Sequence, residues 1–197
     1  MKPNPAFTAL KQRLKEHPEL FRPWKGTIYR VTTLKYRGPS EILRGEGSYW
    51  NGGRWNAIES LRAVYGSTDA LVALAEQQSN AQYANLPYPF RETRLIVAID
   101  VDLARVVDLT SSEVLKTLGV TEEELRREDW RKVQEQGFES LTQAVGRALF
   151  KAKAEGLLAR SARVANGINV AYFPECKLRG SNVRLWDAQH LPDLGLE

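Results

Sequence analysis

Arg94 to Val101 reads RLIVAIDV, a continuous apolar run bounded by charged residues. Its length and composition predict a buried strand, and the fold is read outward from it. Upstream, Thr27 to Thr33 (TIYRVTT) is β-branched and aromatic and predicts another strand, with a shorter one over Ala63 to Gly66. Pro5 to Glu16 places Phe7, Leu10 and Leu14 at helical spacing between charges, which predicts a short amphipathic helix. Between those elements, Arg37 to Asn56 ends in GEGSYWNGGRWN, and Gly45, Gly47, Gly52 and Gly53 predict tight turns rather than a regular element. Thr68 reads as the N-cap of a helix over Ala70 to Ser79. Downstream, Ser111 to Leu118, Thr121 to Gln136 and Glu139 to Glu155 predict helices, the last closed by Gly156. Leu157 to Arg163, Ile168 to Phe173 and Asn182 to Trp186 predict strands. Helix, strands, helices and strands again, without repeat or linker, indicate a single mixed domain of the α+β class rather than a doubly wound βαβ array. Residues 1–25 read as a helical segment packed on that domain, 26–190 as the domain itself, and 191–197 as a tail.

Composition narrows the chemistry. The 197 residues are 43% hydrophobic and 26% charged, enough to build a core without disulfides or metal. A net charge of +4 is spread along the chain, with acids interleaved, and suits an anionic ligand as well as it suits RNA. One cysteine, Cys176, and two histidines, His17 and His190, supply no ligand spacing for zinc and no triad, so no metal site is expected. No signal peptide and no apolar run of membrane-spanning length is present, which predicts a cytoplasmic protein without membrane contact. Neither a GxxxxGK[ST] loop nor a GxGxxG after a strand occurs.

Arginine, glutamate, tyrosine and serine are left to carry function. Glu76 follows six apolar residues, Ala70 to Ala75, on a helix whose inner stripe is expected to hold Leu71, Leu74 and Ala75. A carboxylate beside such a face is either paired or used, or it lies on the solvent edge of the helix. Arg30 stands mid-strand and Arg54 follows two glycines; two guanidinium groups suit a pyrophosphate, while the plainer reading pairs each with a structural carboxylate. Tyr65 offers a face to stack on a planar ring, or packs in the core. Ser161, between Arg160 and Arg163, offers a hydroxyl to a ligand or to solvent.

In order these residues resemble the RES-domain family, named for its Arg, Glu and Ser. The matching stretches are Tyr29-Arg30, Gly52-Gly53-Arg54-Trp55-Asn56, Val64-Tyr65, Ala73-Leu74-Ala75-Glu76, Arg160-Ser161 and Asn169-Val170, and the likeness runs from about Gly26 to Trp186. Val31 and Arg160 depart from the pattern, where some relatives carry Tyr and many carry Pro. The resemblance implies a fold similar to ADP-ribosyltransferases, with central β-sheets flanked by helices. It implies the toxin half of a type II toxin–antitoxin pair that cleaves the nicotinamide–ribose bond of NAD⁺, as glycohydrolase or phosphorylase. NAD⁺ is then the substrate and no cofactor is implied. The implied partner is an antitoxin, often with an Xre-like DNA-binding region, that covers the active site. By the same likeness Arg30 and Arg54 hold phosphates, Tyr65 packs near the nicotinamide, Glu76 sits by the ribose, Ser161 bonds the nicotinamide side and Asn169 also binds NAD⁺, with Glu76, Arg30 and Ser161 as the catalytic set.

Two other readings compete. An ADP-ribosyltransferase modifying a protein would use the same pocket with another acceptor. A basic RNA-binding domain would stack bases on its aromatics, yet no recognisable RNA-binding signature accompanies them.

Overall fold

A computed structural model describes residues 1–83 and 93–186 of the chain; the tail expected over 191–197 and His190 lie outside them. The central element is β3 (Arg94–Asp108), which extends the RLIVAIDV run by seven residues. It pairs antiparallel along nearly its whole length with β1 (Phe21–Thr33), from Phe21↔Val107 to Thr33↔Arg94, with an irregularity at Pro23 between Arg22 and Trp24. β2 (Val64–Ser67), β5 (Ile168–Tyr172), β4 (Gly156–Arg160) and β6 (Asn182–Leu185) complete a six-stranded sheet in the order β1-β2-β5-β4-β3-β6. Because β1 also pairs with β3, five of these strands close on one another, and β6 lies outside the ring. Among the strand pairs of the described residues, only β3 and β4 run parallel. A central mixed sheet flanked by helices is the fold expected of the sequence.

β3 is buried on one face more than on both. Val97, Ile99, Val101 and Leu103 are at most 4% exposed, whereas Ile96 is 47% exposed, so the apolar run alternates once it is in the sheet. One core lies on each side of the sheet. The first gathers Leu10 and Leu14 of α1 (Phe7–Glu16) with Trp55, Phe173 and the buried face of α8 (Leu141–Lys151); the second gathers Ile28, Ile42, Ile99, Leu103 and Tyr172.

Several local expectations are corrected. The glycine-punctuated stretch holds two short helices, α2 (Pro39–Arg44) and α3 (Glu46–Asn51), because Gly45 at φ 71° ends one and starts the other. Pro39 opens α2, and the Glu41 carboxylate accepts from the Gly38 N–H at 3.1 Å. α4 (Ala70–Tyr83) is capped by Asp69, not Thr68: the Asp69 carboxylate accepts from the N–H groups of Leu71 and Val72 at 2.7 and 3.1 Å, while the Thr68 N–H joins the Ile168 carbonyl. The helix after α5 (Ser112–Leu118) is two, α6 (Glu122–Arg127) and α7 (Trp130–Glu135). Glu128 leaves the helical path to cap α8, accepting from the N–H groups of Leu141 and Thr142 at 2.8 and 3.0 Å. α8 stops at Lys151, and Gly156 opens β4 instead of closing a helix. The intervening turn carries Lys153 at φ 61° and buries Glu155, whose carboxylate accepts from the N–H groups of Ala104, Arg105 and Leu178. The strand begun at Gly156 ends at Arg160, so Ser161 starts a turn.

Candidate active site

Glu76 is positioned by the phase of α4. Val72 and Ala73, one turn before it, are each 6% exposed, whereas Leu71 is 75% and Leu74 36% exposed. The expected inner stripe is thus out of phase, since six consecutive apolar residues carry no periodicity to set it. Glu76 consequently lies on the inward side, and its Oε1 accepts hydrogen bonds from Ser161 Oγ and Asn169 Nδ2, both at 2.6 Å. Among the described residues, none donates to Oε2. The Ser161 hydroxyl also accepts from the N–H groups of Arg163 and Val164 at 3.0 Å. Its one donor and both acceptor positions are then taken. Ser161 therefore holds Glu76 and shapes the turn into β5. Asn169 is fixed in turn by Ser67, its register partner on β2, which donates from Oγ to Asn169 Oδ1 at 2.7 Å.

Among the described residues, neither Arg30 nor Arg54 is paired with a structural carboxylate, the plainer reading of each. Arg30 donates from Nη1 to the Tyr65 carbonyl at 3.0 Å, and its Nε is buried without a partner. Burial lowers the pKa of its guanidinium, with Tyr65 acting in the opposite sense. Arg54 donates from Nη1 to the Arg160 carbonyl at 2.9 Å and from Nη2 to the Leu125 carbonyl at 2.8 Å, and its guanidinium lies 4.9 Å from the Trp55 ring centre. Burial lowers its pKa too, and the Glu76 charge opposes that shift. Both cations are desolvated and lean on carbonyl dipoles, an arrangement that an anion would complete.

Tyr65 joins the two arginines. Its carbonyl holds Arg30, and its hydroxyl accepts from the Trp55 N–H at 2.9 Å while donating to Asn56 Oδ1 at 2.7 Å. Burial raises the pKa of this phenol. The GGRWN turn closes with the Gly53 N–H on the Asn56 carbonyl at 2.7 Å. Gln143 braces it from α8, donating from Nε2 to the carbonyls of Gly53 and Asn56 at 3.2 and 3.4 Å. A Cβ on Gly53 would run into the Tyr65 hydroxyl and Asn56 Oδ1, so this glycine serves packing rather than approach to a ligand. A Cβ on Gly146 would overlap the Trp55 carbonyl, which explains a glycine in the middle of α8. Three of the motif's residues thus build a scaffold, and Arg54 is the one it presents.

All six expected site residues fall in one neighbourhood, drawn from β1, β2, α4, β5, the turn after β4 and the loop before β2. A family model described as RES domain matches residues 27–192. The chain belongs to the RES-domain family. Its curated relatives include proteins named NAD(+) phosphorylase MbcT from Mycobacterium bovis and Mycobacterium tuberculosis, each 28% identical over 151 residues, covering 76% of this chain and 74% of the relative. The fold is also similar to a crystal structure of the M. tuberculosis MbcT–MbcA toxin–antitoxin complex, at a TM-score of 0.72 and 26% identity, covering 93% of this chain and 96% of that one.

Sequence reasoning missed three residues that this RES domain brings to the site. Ser67 left no signal beyond its place in a short strand. Arg163 was noted only as a neighbour of Ser161. Arg131, on α7, is stacked between the rings of Trp130 and Tyr83, its guanidinium carbon 4.4 and 4.8 Å from their centres. Burial lowers its pKa, Arg163 adds to the shift, and the charge of Glu76 is among the groups that oppose it.

Proposed function

We propose that this RES-domain protein is a cytoplasmic toxin that depletes NAD⁺ by breaking the nicotinamide–ribose bond, and that a cognate antitoxin with an Xre-like DNA-binding region covers its pocket. The observation that carries this reading is the Glu76 carboxylate, held through Oε1 alone while Oε2 receives no bond from any described residue. The names of the relatives support it. When the C–N bond breaks, its electron pair leaves with nicotinamide, which departs neutral, and the ribose is left as an oxocarbenium ion. A fixed carboxylate beside C1 stabilises that positive charge without having to reorient. Arg30 and Arg54 hold the pyrophosphate through the N–H groups that the carbonyls leave uncommitted, and the Tyr65 ring packs against the nicotinamide. Ser161 and Asn169 act through Glu76, keeping its carboxylate in place. NAD⁺ is consumed as substrate; a pyridinium leaving group needs neither an acid nor a cofactor to depart.

The test is single-turnover nicotinamide release by Glu76→Gln, with folding followed by thermal melting. Losing one preorganised electrostatic group is expected to slow release by about 10²–10³ while NAD⁺ binding changes little. A folded variant that releases nicotinamide at the parent rate removes Glu76 from the chemistry. Accumulation of ADP-ribosylated protein in place of free ADP-ribosyl product would assign the site to protein modification instead.

A further inference from the structure

Two aromatic side chains near Glu76 take no part in either core. Trp55 is 1% exposed within the first core, and Trp24 packs against the second. By contrast, neither Tyr83, 37% exposed, nor the half-buried Trp130 joins a core or packs against one. What they share is the guanidinium of Arg131, whose central carbon lies 4.8 Å from the centre of the Tyr83 ring and 4.4 Å from that of Trp130. Both ends of α7 are tied down. Asp129 caps its start, accepting from the Lys132 N–H at 3.5 Å, and Glu135 at its end accepts from the Tyr83 hydroxyl at 2.5 Å. Tyr83 stands seven residues beyond Glu76 on α4, two turns along one face and about 10.5 Å along the axis. Outward along α4 from the carboxylate there is thus a fixed layer of two rings and a guanidinium, near enough for Arg131 to feel the Glu76 charge.

A dinucleotide whose nicotinamide ribose meets Glu76 carries its second base beyond the pyrophosphate, on the scale of that spacing. The base is flat and neutral, and its faces pack on aromatic rings and on stacked guanidinium groups. We propose that Trp130 and Tyr83, with Arg131 stacked on them, form the platform on which the adenine of NAD⁺ stacks. This rests on the NAD⁺-cleaving reading of the same site and assigns the other end of the substrate. The platform uses ring faces alone, so it does not depend on what the edge of the Arg131 guanidinium binds. It makes and breaks no covalent bond. Its contribution is to binding: stacking at the remote base helps hold ribose C1 against Glu76.

Release of nicotinamide from nicotinamide-labelled NAD⁺ tests this, with adenosine monophosphate and nicotinamide mononucleotide as competitors. Each competitor carries one half of the substrate and one phosphate, so a contact to phosphate alone does not tell them apart. In Trp130→Leu and in Tyr83→Leu, the KM for NAD⁺ and the inhibition constant of adenosine monophosphate are expected to rise about ten-fold, and that of nicotinamide mononucleotide by less than about three-fold. Trp130→Phe, which keeps a ring face, should recover most of the loss. Retained inhibition by nicotinamide mononucleotide shows at the same time that the variant is folded. Equal rises for both competitors would make the rings a brace for the fold and overturn the proposal. So would unchanged constants, or a parent that adenosine monophosphate does not inhibit. A parent that releases no nicotinamide overturns the NAD⁺-cleaving reading, and this one with it.

Discussion

The turn around Asn56 and the cluster around Glu76 are built alike, yet they end differently. Each ties several elements together through a polar side chain on or near the sheet. Asn56, fully buried, donates to the carbonyls of Ser48 and Leu61 at 2.6 and 3.2 Å and accepts from the Tyr65 hydroxyl at 2.7 Å. Both ends of its amide are satisfied by the protein. Glu76 is half-buried and takes two bonds on one oxygen, while Arg54 near it donates to carbonyls. A satisfied network specifies a shape, whereas one with an open acceptor is free to meet a ligand. The most specific sequence motif of the chain, GGRWN, belongs mainly to the first kind.

Substitution at the two centres should separate stability from chemistry. The largest effect is that of Glu76→Gln on nicotinamide release, about 10²–10³ in rate, with a melting temperature close to the parent's. Asn56→Ala should do the reverse. Stranding a buried phenol hydroxyl and several carbonyls costs about 3 kcal/mol, or about 6–12 °C in Tm for a chain of this size, read by calorimetry. A normal Tm in that variant would erase the contrast between the two networks.

Smaller changes sharpen the comparison. Ser67→Ala removes the donor that fixes the Asn169 amide, so Nδ2 no longer points reliably at Glu76. About a ten-fold fall in kcat with an unchanged KM for NAD⁺ is expected, since a misplaced carboxylate is felt in the transition state. A rise in KM with kcat unchanged would mean that Ser67 or Asn169 serves binding. Tyr65→Phe keeps the ring and deletes both hydroxyl bonds to the turn. It should cost about 1–2 kcal/mol in denaturant unfolding, while the KM for NAD⁺ changes by less than about three-fold. A larger change in KM would give the hydroxyl, not the ring, the ligand-side role.

What could be read from the residues in order was considerable. The amphipathic helix of Leu10 and Leu14, the strands of TIYRVTT and RLIVAIDV, and the Ser111 cap follow from periodicity and capping chemistry, which are local. The family pattern placed Arg30, Arg54, Tyr65, Glu76, Ser161 and Asn169 among the candidates. Local signals failed where a distant partner decided the outcome. The expected helix over Thr121 to Gln136 breaks because Glu128 caps α8, and the phase of α4 is set by what Val72 and Ala73 pack against.

The sequence by itself determined which chemical groups are available and in what order: one glutamate on an apolar helix, arginines without cysteine or histidine clusters, and glycines where a turn must be tight. Only the tertiary structure decided which of them meet. Ser161 and Asn169 reach Glu76 across 85 and 93 residues of chain. Ser67 reaches Asn169 across 102. Arg131 comes to the site through a stack on Tyr83 that no spacing encodes. Hydrogen bonds and stacking depend on positions fixed to within an ångström by the closed sheet and its two cores, and contacts at such separation leave no periodic trace in the chain.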